Sequence, residues 1–178
     1  MAWTAPRTWV VGELVTAAIM NTHIRDNFSY LKDLGTYSIF YPALMFYDSS
    51  VPAFHTIEDV GATCNDTNDF TTVLFKVPGN FISVTSALIW SRATDTNATT
   101  SIKISAWYAQ SGQAYATHTE TDTRNYNLTN TIVFSMDATV SLTALAVGDM
   151  GGISVYNMEG VTGQFIVYGM ELDYIGTA

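Results

Sequence analysis

Residues 164–175, QFIVYGMELDYI, decide the fold class. Ile166, Tyr168, Met170, Leu172 and Tyr174 occupy alternate positions, and Val167, Gly169, Glu171 and Asp173 lie between them. A period of two puts the first set on one side of an extended strand and the acidic residues on the other. A strand buried on one side only is the mark of an antiparallel sheet.

The same pattern extends upstream. FTTVLFKV (70–77), NFISVTSALIW (80–90), TTSIKISAWYA (99–109) and TNTIVFSMD (129–137) are strand-like, with weaker candidates at 44–47, 115–119 and 153–156. The segments DVGATCNDTND, ATDTNATT, QSGQ and NMEGVTGQ supply the Gly, Asn, Asp and Ser that turns prefer. No helical stretch separates the strands, which argues against parallel βαβ units. The expected fold is mainly β, an antiparallel β-sandwich or jelly roll spanning residues 36–178. The connector TYSIFYPALMFY (36–47) is too aromatic for a flexible linker and is expected to pack under the sandwich.

A different rhythm precedes this body. In WVVGELVTAAIMNTHIRDN (9–27) and the residues after it, Ala17, Met20, Ile24, Asn27, Leu31 and Leu34 are spaced 3, 4, 3, 4, 3. Thr16 suits an N-cap and Gly35 a C-terminal stop, so one α-helix is expected between them. A lone helix of that length is marginal in water unless its apolar face is covered. The cover is either the helix's own body or copies of the helix, in which case Asn27 sets register on an a/d seam. Residues 1–35 thus read as an arm and helix for attachment and oligomerisation, with Trp3, Trp9, Met20, Ile24, Asn27 and Leu31 as its candidate interface.

Composition removes several function classes. The net charge is −9, and the excess lies beyond residue 40, where Lys76, Arg92, Lys103 and Arg124 face thirteen acids. No basic face is available for phosphates, so no nucleic-acid partner is expected. No apolar run reaches the ~20 residues of a membrane span, and the opening does not read as a signal peptide. Cys64 is the single cysteine, which excludes an internal disulfide.

His23, His55 and His118 show no metal-ligand spacing, and nucleophile elbow, P-loop and dinucleotide fingerprints are missing. NDTND (65–69) lacks the Gly and distal Glu of a calcium loop and reads as a solvated turn. No catalytic residue, metal or cofactor is therefore expected. Trp107 lies on the strand side opposite Ile102, Ile104, Ala106 and Tyr108, so it meets either a second buried face or a partner. Trp90 and Trp107 are the candidate ligand-contact aromatics.

Trp9, Gly12-Glu13, Val15-Thr16-Ala17-Ala18, Met20-Asn21 and Ile24-Arg25-Asp26-Asn27 together resemble the "W..GE.VTAA.(L/M)N..IRDN" opening of small structural proteins of tailed bacteriophages. LAVGDMGGISVYN (145–157) similarly resembles the "L..GD......V" entry to a late strand in trimeric jelly-roll heads. The resemblance implies a non-enzymatic virion protein made in the host cytoplasm. It also implies a homotrimeric capsid decoration or cement protein, attached to a major capsid or tail protein through its N-terminal segment. A tail-fibre or receptor-binding head gripping a host surface glycan or protein is the alternative. The short run ahead of the body favours decoration.

Overall fold

The computed structural model of the chain describes residues 8, 12–32, 34–47, 61–160 and 162–177. Trp3, Trp9 and His55 lie outside the described residues. Helix α1 (Ala17–Met20) opens where Thr16, in extended conformation, accepts the Ile19 amide on its hydroxyl at 3.3 Å. A π turn (Asn21–Arg25) and helix α2 (Asp26–Lys32) follow directly. The strands are β1 (Leu34–Tyr47), β2 (Ala62–Cys64), β3 (Phe70–Lys76), β4 (Phe81–Ala93), β5 (Asn97–Ala109), β6 (His118–Leu128), β7 (Val133–Asp137), β8 (Met150–Asn157) and β9 (Phe165–Thr177).

Every pairing among the described residues is antiparallel, and β1 joins two leaves into one curled sheet. Its residues 34–42 pair with β9, and its residues 43–47 pair with β3. The change of partner follows Pro42, which has no N–H to give a ladder, and coincides with a bulge between Ala43 and Met45. The first leaf runs β1–β9–β4–β7, with β2 on the same edge of β9 as β1. The second runs β1–β3–β8–β5–β6. The β-sandwich expected from sequence is therefore present.

One core fills the space between the leaves. Ala87, Ile89, Met170 and Leu172 come from the first leaf, Val73, Ile104, Ile153 and Val155 from the second, and all are buried. Burying each such large aliphatic side chain contributes roughly 1.5–3 kcal/mol. Aromatic contacts cross the gap: Tyr41 meets Phe75 with ring centres 6.2 Å apart, and Tyr126 meets Phe134 at the same distance. Cys64 is completely buried against the Val155 carbonyl, and that burial pushes its thiol pKa up, which makes it a packing residue rather than a nucleophile.

Three expectations change. The helix stops at Lys32, and Gly35 is not a helix cap: Leu34 and Gly35 already pair with Thr177 and Gly176. The connector 36–47 is itself the sheet-bridging strand β1. Along β9 the side-chain parity flips. Met170, Leu172 and Tyr174 enter the core as expected, but Phe165 and Val167 join them in place of Ile166 and Tyr168. The flip sits at a register shift opposite Trp90 and Ser91, where one extra residue turns the strand over.

Candidate functional site

The second leaf turns an ordered outer face to its surroundings. Directly opposed residues of paired strands share a face, and the registers of β3, β8, β5 and β6 line up in rows. Phe70, Tyr156, Lys103 and Thr123 form the first row, where the Phe70 and Tyr156 rings lie 4.9 Å apart and Lys103 Nζ sits 3.9 Å above the Tyr156 ring. Thr72, Ser154, Ser105 and Thr121 form a row of hydroxyls, hydrogen-bonded as Thr72–Ser154 at 2.6 Å and Ser105–Thr121 at 3.0 Å. Leu74, Gly152, Trp107 and Thr119 form the third. Lys76, Met150 and Ala109 form the last.

The third row makes a depression because Gly152 contributes no side chain. A Cβ there would stand 3.4 Å from Leu74 Cδ2 and 3.5 Å from Trp107 Cζ2, so the indole reaches across the glycine toward Leu74. Beside it opens a trough of about 690 Å³ lined by Trp107, Leu74, Lys76, Met150, Gln113 and Tyr115, among others. A second hollow of about 370 Å³ lies between Trp107, Tyr115, Ala116 and Thr119. Tyr115 is 80% exposed, Met150 60% and Leu74 46%.

The loop that carries Tyr115 is braced. Gln113 N donates to Gln110 O at 3.0 Å across a turn in which Gly112 takes a φ of +90°. Thr117 N donates to Ala114 O at 3.0 Å across the next turn. Gln113 Oε1 accepts from Gln110 N, and Gln110 Nε2 donates to Val147 O, which ties this loop to the turn before β8. That turn has Gly148 at a φ of +83°, and the buried Asp149 accepts the Ala146 amide at 2.8 Å. Gly-Asp here closes a turn.

Trp90 and Trp107 are not brought together. Trp90 lies on the outer face of the first leaf, half-buried, with its Nε1 donating to Glu171. Trp107 lies half-buried on the outer face of the second leaf. Sequence reasoning found Trp107 but missed Tyr115 and Gly152. The turn residues around Tyr115 were the available signal.

At the N-terminal helix, Met20, Ile24 and Leu31 are exposed, together with Phe28 at 72%, whereas Asn27 is buried. Ile24 lies in the π turn and Asn27 just after it in α2, and the two face different surroundings. The continuous seam drawn through Ile24 and Asn27 therefore breaks. Asn27 turns inward, where its Nδ2 donates to His23 O at 3.3 Å, and Phe28 joins the exposed stripe.

His23 lies on the helix while His118 stacks on Tyr108 with ring centres 5.1 Å apart. Within NDTND, Asp69 accepts the amides of Asn65 and Asp66, so the turn is closed by its own carboxylate. Among the described residues no three His, Cys, Asp or Glu side chains gather as metal ligands.

No protein-family model and no curated protein matches the chain. Solved structures do. The CBM36-1 domain of a multidomain xylanase from the hindgut metagenome of Trinervitermes trinervoides matches with a TM-score of 0.43 and 6% identity, over 76% of this chain and 96% of that one. The family 11 carbohydrate-binding module from Clostridium thermocellum gives 0.41 and 9%, over 79% and 88%. Infectious bursal disease virus, Gx strain, gives 0.39 and 7%, over 82% of this chain and 32% of that one. The chain spans 34% of a family two carbohydrate esterase from Cellvibrio japonicus and 13% of PorU from Porphyromonas gingivalis. At these low scores the matches assign no family and no ligand.

Proposed function

We propose that the chain is a non-enzymatic structural protein of a tailed-bacteriophage virion, a homotrimeric decoration protein attached through its N-terminal segment. The observation that carries this reading is the exposed stripe Met20, Ile24, Phe28 and Leu31 on a helix that, among the described elements, touches the body chiefly where α2 meets β1. A short helix with an uncovered apolar stripe is marginal alone, and copies of itself supply the missing cover. The phage-like opening motif lies on this same helix and the residues before it.

The test is sedimentation equilibrium on the full chain and on an Ile24→Ser, Phe28→Ser double variant. A trimeric parent and a monomeric variant with the same thermal melt support the reading. A monomeric parent at micromolar concentration, with no threefold contact in density of the particle, overturns it. Copy number on the particle then separates capsid decoration, with hundreds of copies, from a tail position.

A second reading, recognition of a host surface, is favoured by one observation: Tyr115 and Trp107 stand at an open trough on a braced loop and a central strand.

A further inference from the structure

We infer that the Trp107–Tyr115 trough is a binding site for an acidic oligosaccharide, a pyranose chain bearing carboxylates. The inference deepens the host-recognition reading and rests on it.

The shape of the trough points to a pyranose. Trp107 projects from the middle of a four-strand platform, and its indole is carried over Gly152 with no side chain beneath to lift it. Tyr115 adds a second, largely exposed ring beside it, and the two share the smaller hollow. Rigid aromatic rings present large contact area at low entropy cost. The axial C–H groups of a pyranose offer a partly positive apolar patch, which suits the negative face of an aromatic ring.

Preorganisation supports the same conclusion. The loop bearing Tyr115 is held by two consecutive hydrogen-bonded turns and by the Gln110–Val147 link. A ligand therefore meets rings already in place, and less of its binding energy is lost to ordering them. Hydroxyl groups are close at hand: Ser105 and Thr121, one row along, pair with each other at the surface and are suited to exchange partners with sugar hydroxyls.

Charge selects the class of sugar. The chain as a whole carries −9, yet among the described residues Lys76 is the one charged residue lining the trough. Lys103, the other cation in the outer-face rows of this leaf, is engaged over the Tyr156 ring in the first row, and Arg124 of β6 lies on the inward side, paired with Asp122 and Asp137. A lone ammonium at the rim of an apolar trough favours a carboxylate over a neutral hydroxyl, and a charge-assisted contact is roughly twice as strong as a neutral one. A negatively charged body around it disfavours non-specific polyanions and leaves a short-range, oriented contact.

The test uses the full chain and three probes: the galacturonic acid trimer, sialyllactose and maltotriose. Each is titrated by isothermal calorimetry and by tryptophan fluorescence. The expected result is binding of one or both acidic probes with a Kd on the order of 1 mM or tighter, and at least tenfold weaker binding of maltotriose. Tyr115→Ala, on an exposed loop, and Trp107→Ala should each weaken the acidic probe at least tenfold. Lys76→Met should bring acidic and neutral probes to within about threefold of one another. Trp90→Phe, on the opposite leaf, should change nothing.

Absence of binding by both acidic probes up to about 10 mM overturns the inference, as does binding that Tyr115→Ala and Lys76→Met leave intact. Labelled protein is applied to host cells in parallel. Cell binding retained by Tyr115→Ala keeps the host-recognition reading and removes the trough from it. No cell binding by the parent protein removes both.

Discussion

The indole Nε1 of Trp90 donates a 2.7 Å hydrogen bond to Oε2 of Glu171 on the adjoining strand, and Ser38 donates to the other carboxylate oxygen at 3.1 Å. Trp90 faces Gly169 across the β4–β9 pair, and the Phe40 ring also leans over that glycine. Trp90 therefore belongs to a cross-strand clamp on the first leaf, where its polar edge already has a partner.

Replacing Trp90 with Phe should keep most of the packing and remove the donor. A half-exposed hydrogen bond to a carboxylate is expected to cost about 1 kcal/mol, which for a domain of this size lowers the melting temperature by about 3 °C. In a Glu171→Gln background the same change should cost less, because the acceptor is no longer charged. Thermal melts of the four proteins give the coupling. Additive effects would show that the 2.7 Å contact contributes nothing.

The outer face of the second leaf depends on two adjacent glycines that fail differently. A Cβ on Gly151 would run into the Trp107 carbonyl and the Cα and Cβ of Tyr108, all on or next to the backbone of β5. Gly151→Ala must push β8 away from β5 and is expected to cost about 3 kcal/mol. At Gly152 the nearest atoms are side-chain ends, Thr72 Cγ2 at 3.1 Å and Leu74 Cδ2 at 3.4 Å, which can give way. Gly152→Ala should cost less than about 1.5 kcal/mol while lifting the indole of Trp107. Denaturant unfolding separates the two; equal losses would contradict the placement of the clashes.

The strands with apolar alternation were legible because one buried side imposes a period of two. Ile102, Ile104, Ala106 and Tyr108 all reach the core as read, with Trp107 opposite. Strand β6 was largely missed for a physical reason. Its inward positions include Glu120, Asp122 and Arg124, half-buried at the sheet edge, so hydrophobicity carries no signal there. The flip in β9 was hidden because Ile166 and Val167 are equally apolar and a bulge has no composition of its own. The Thr16 cap was legible; the π turn Asn21–Arg25 was not, since nothing in TAAIMNTHIRDN distinguishes it from an ordinary helix. Tyr115 was read into a weak strand candidate, 115–119, whereas it lies in the turn before β6, because an aromatic beside Thr and His mimics strand composition when no periodic neighbours test it.

The edges of the two leaves meet through Arg124, which reaches Asp122 on its own strand at 2.6 Å and Asp137 of β7 at 3.7 Å. Asp137 also accepts the Thr139 amide at 2.9 Å, which starts the short 3₁₀ turn Thr139–Leu142. Hydrogen bonds from Thr139, and to a smaller extent the Arg124 guanidinium, hold this carboxyl below the usual carboxylate pKa. A lowered folded-state pKa means that the stabilisation is fully present above the ordinary value, near ~3.9. It is lost as pH falls through the lowered one. The parent's urea midpoint should thus drop below about pH 4 more steeply than that of Asp137→Asn, the two curves converging in acid. Parallel curves from neutral pH downward would show that Asp137 is not part of the acid transition.

Removal of residues 1–33 separates the two ends of the chain. Among the described residues the apolar core contains none from α1, the π turn or α2, and β1 begins at Leu34 with its ladder to β9 intact. Tyr37, stacked on Tyr174 with ring centres 5.3 Å apart, and Tyr41, whose hydroxyl donates to Lys76 O, anchor that strand from within the body. The truncated chain should therefore fold and melt within a few degrees of the parent, because no described residue before Leu34 belongs to the apolar core of the sandwich. If the helix stripe carries association, the truncated chain should also sediment as a monomer and fail to rebind particles stripped of the parent protein. Sedimentation, a melt and particle rebinding on the same sample distinguish the outcomes. A truncated chain that still binds particles would move the attachment surface onto the sandwich. One that does not fold would make the helix part of the body's own stability, and the exposed stripe of Met20, Ile24, Phe28 and Leu31 would have to be covered within the chain rather than between copies.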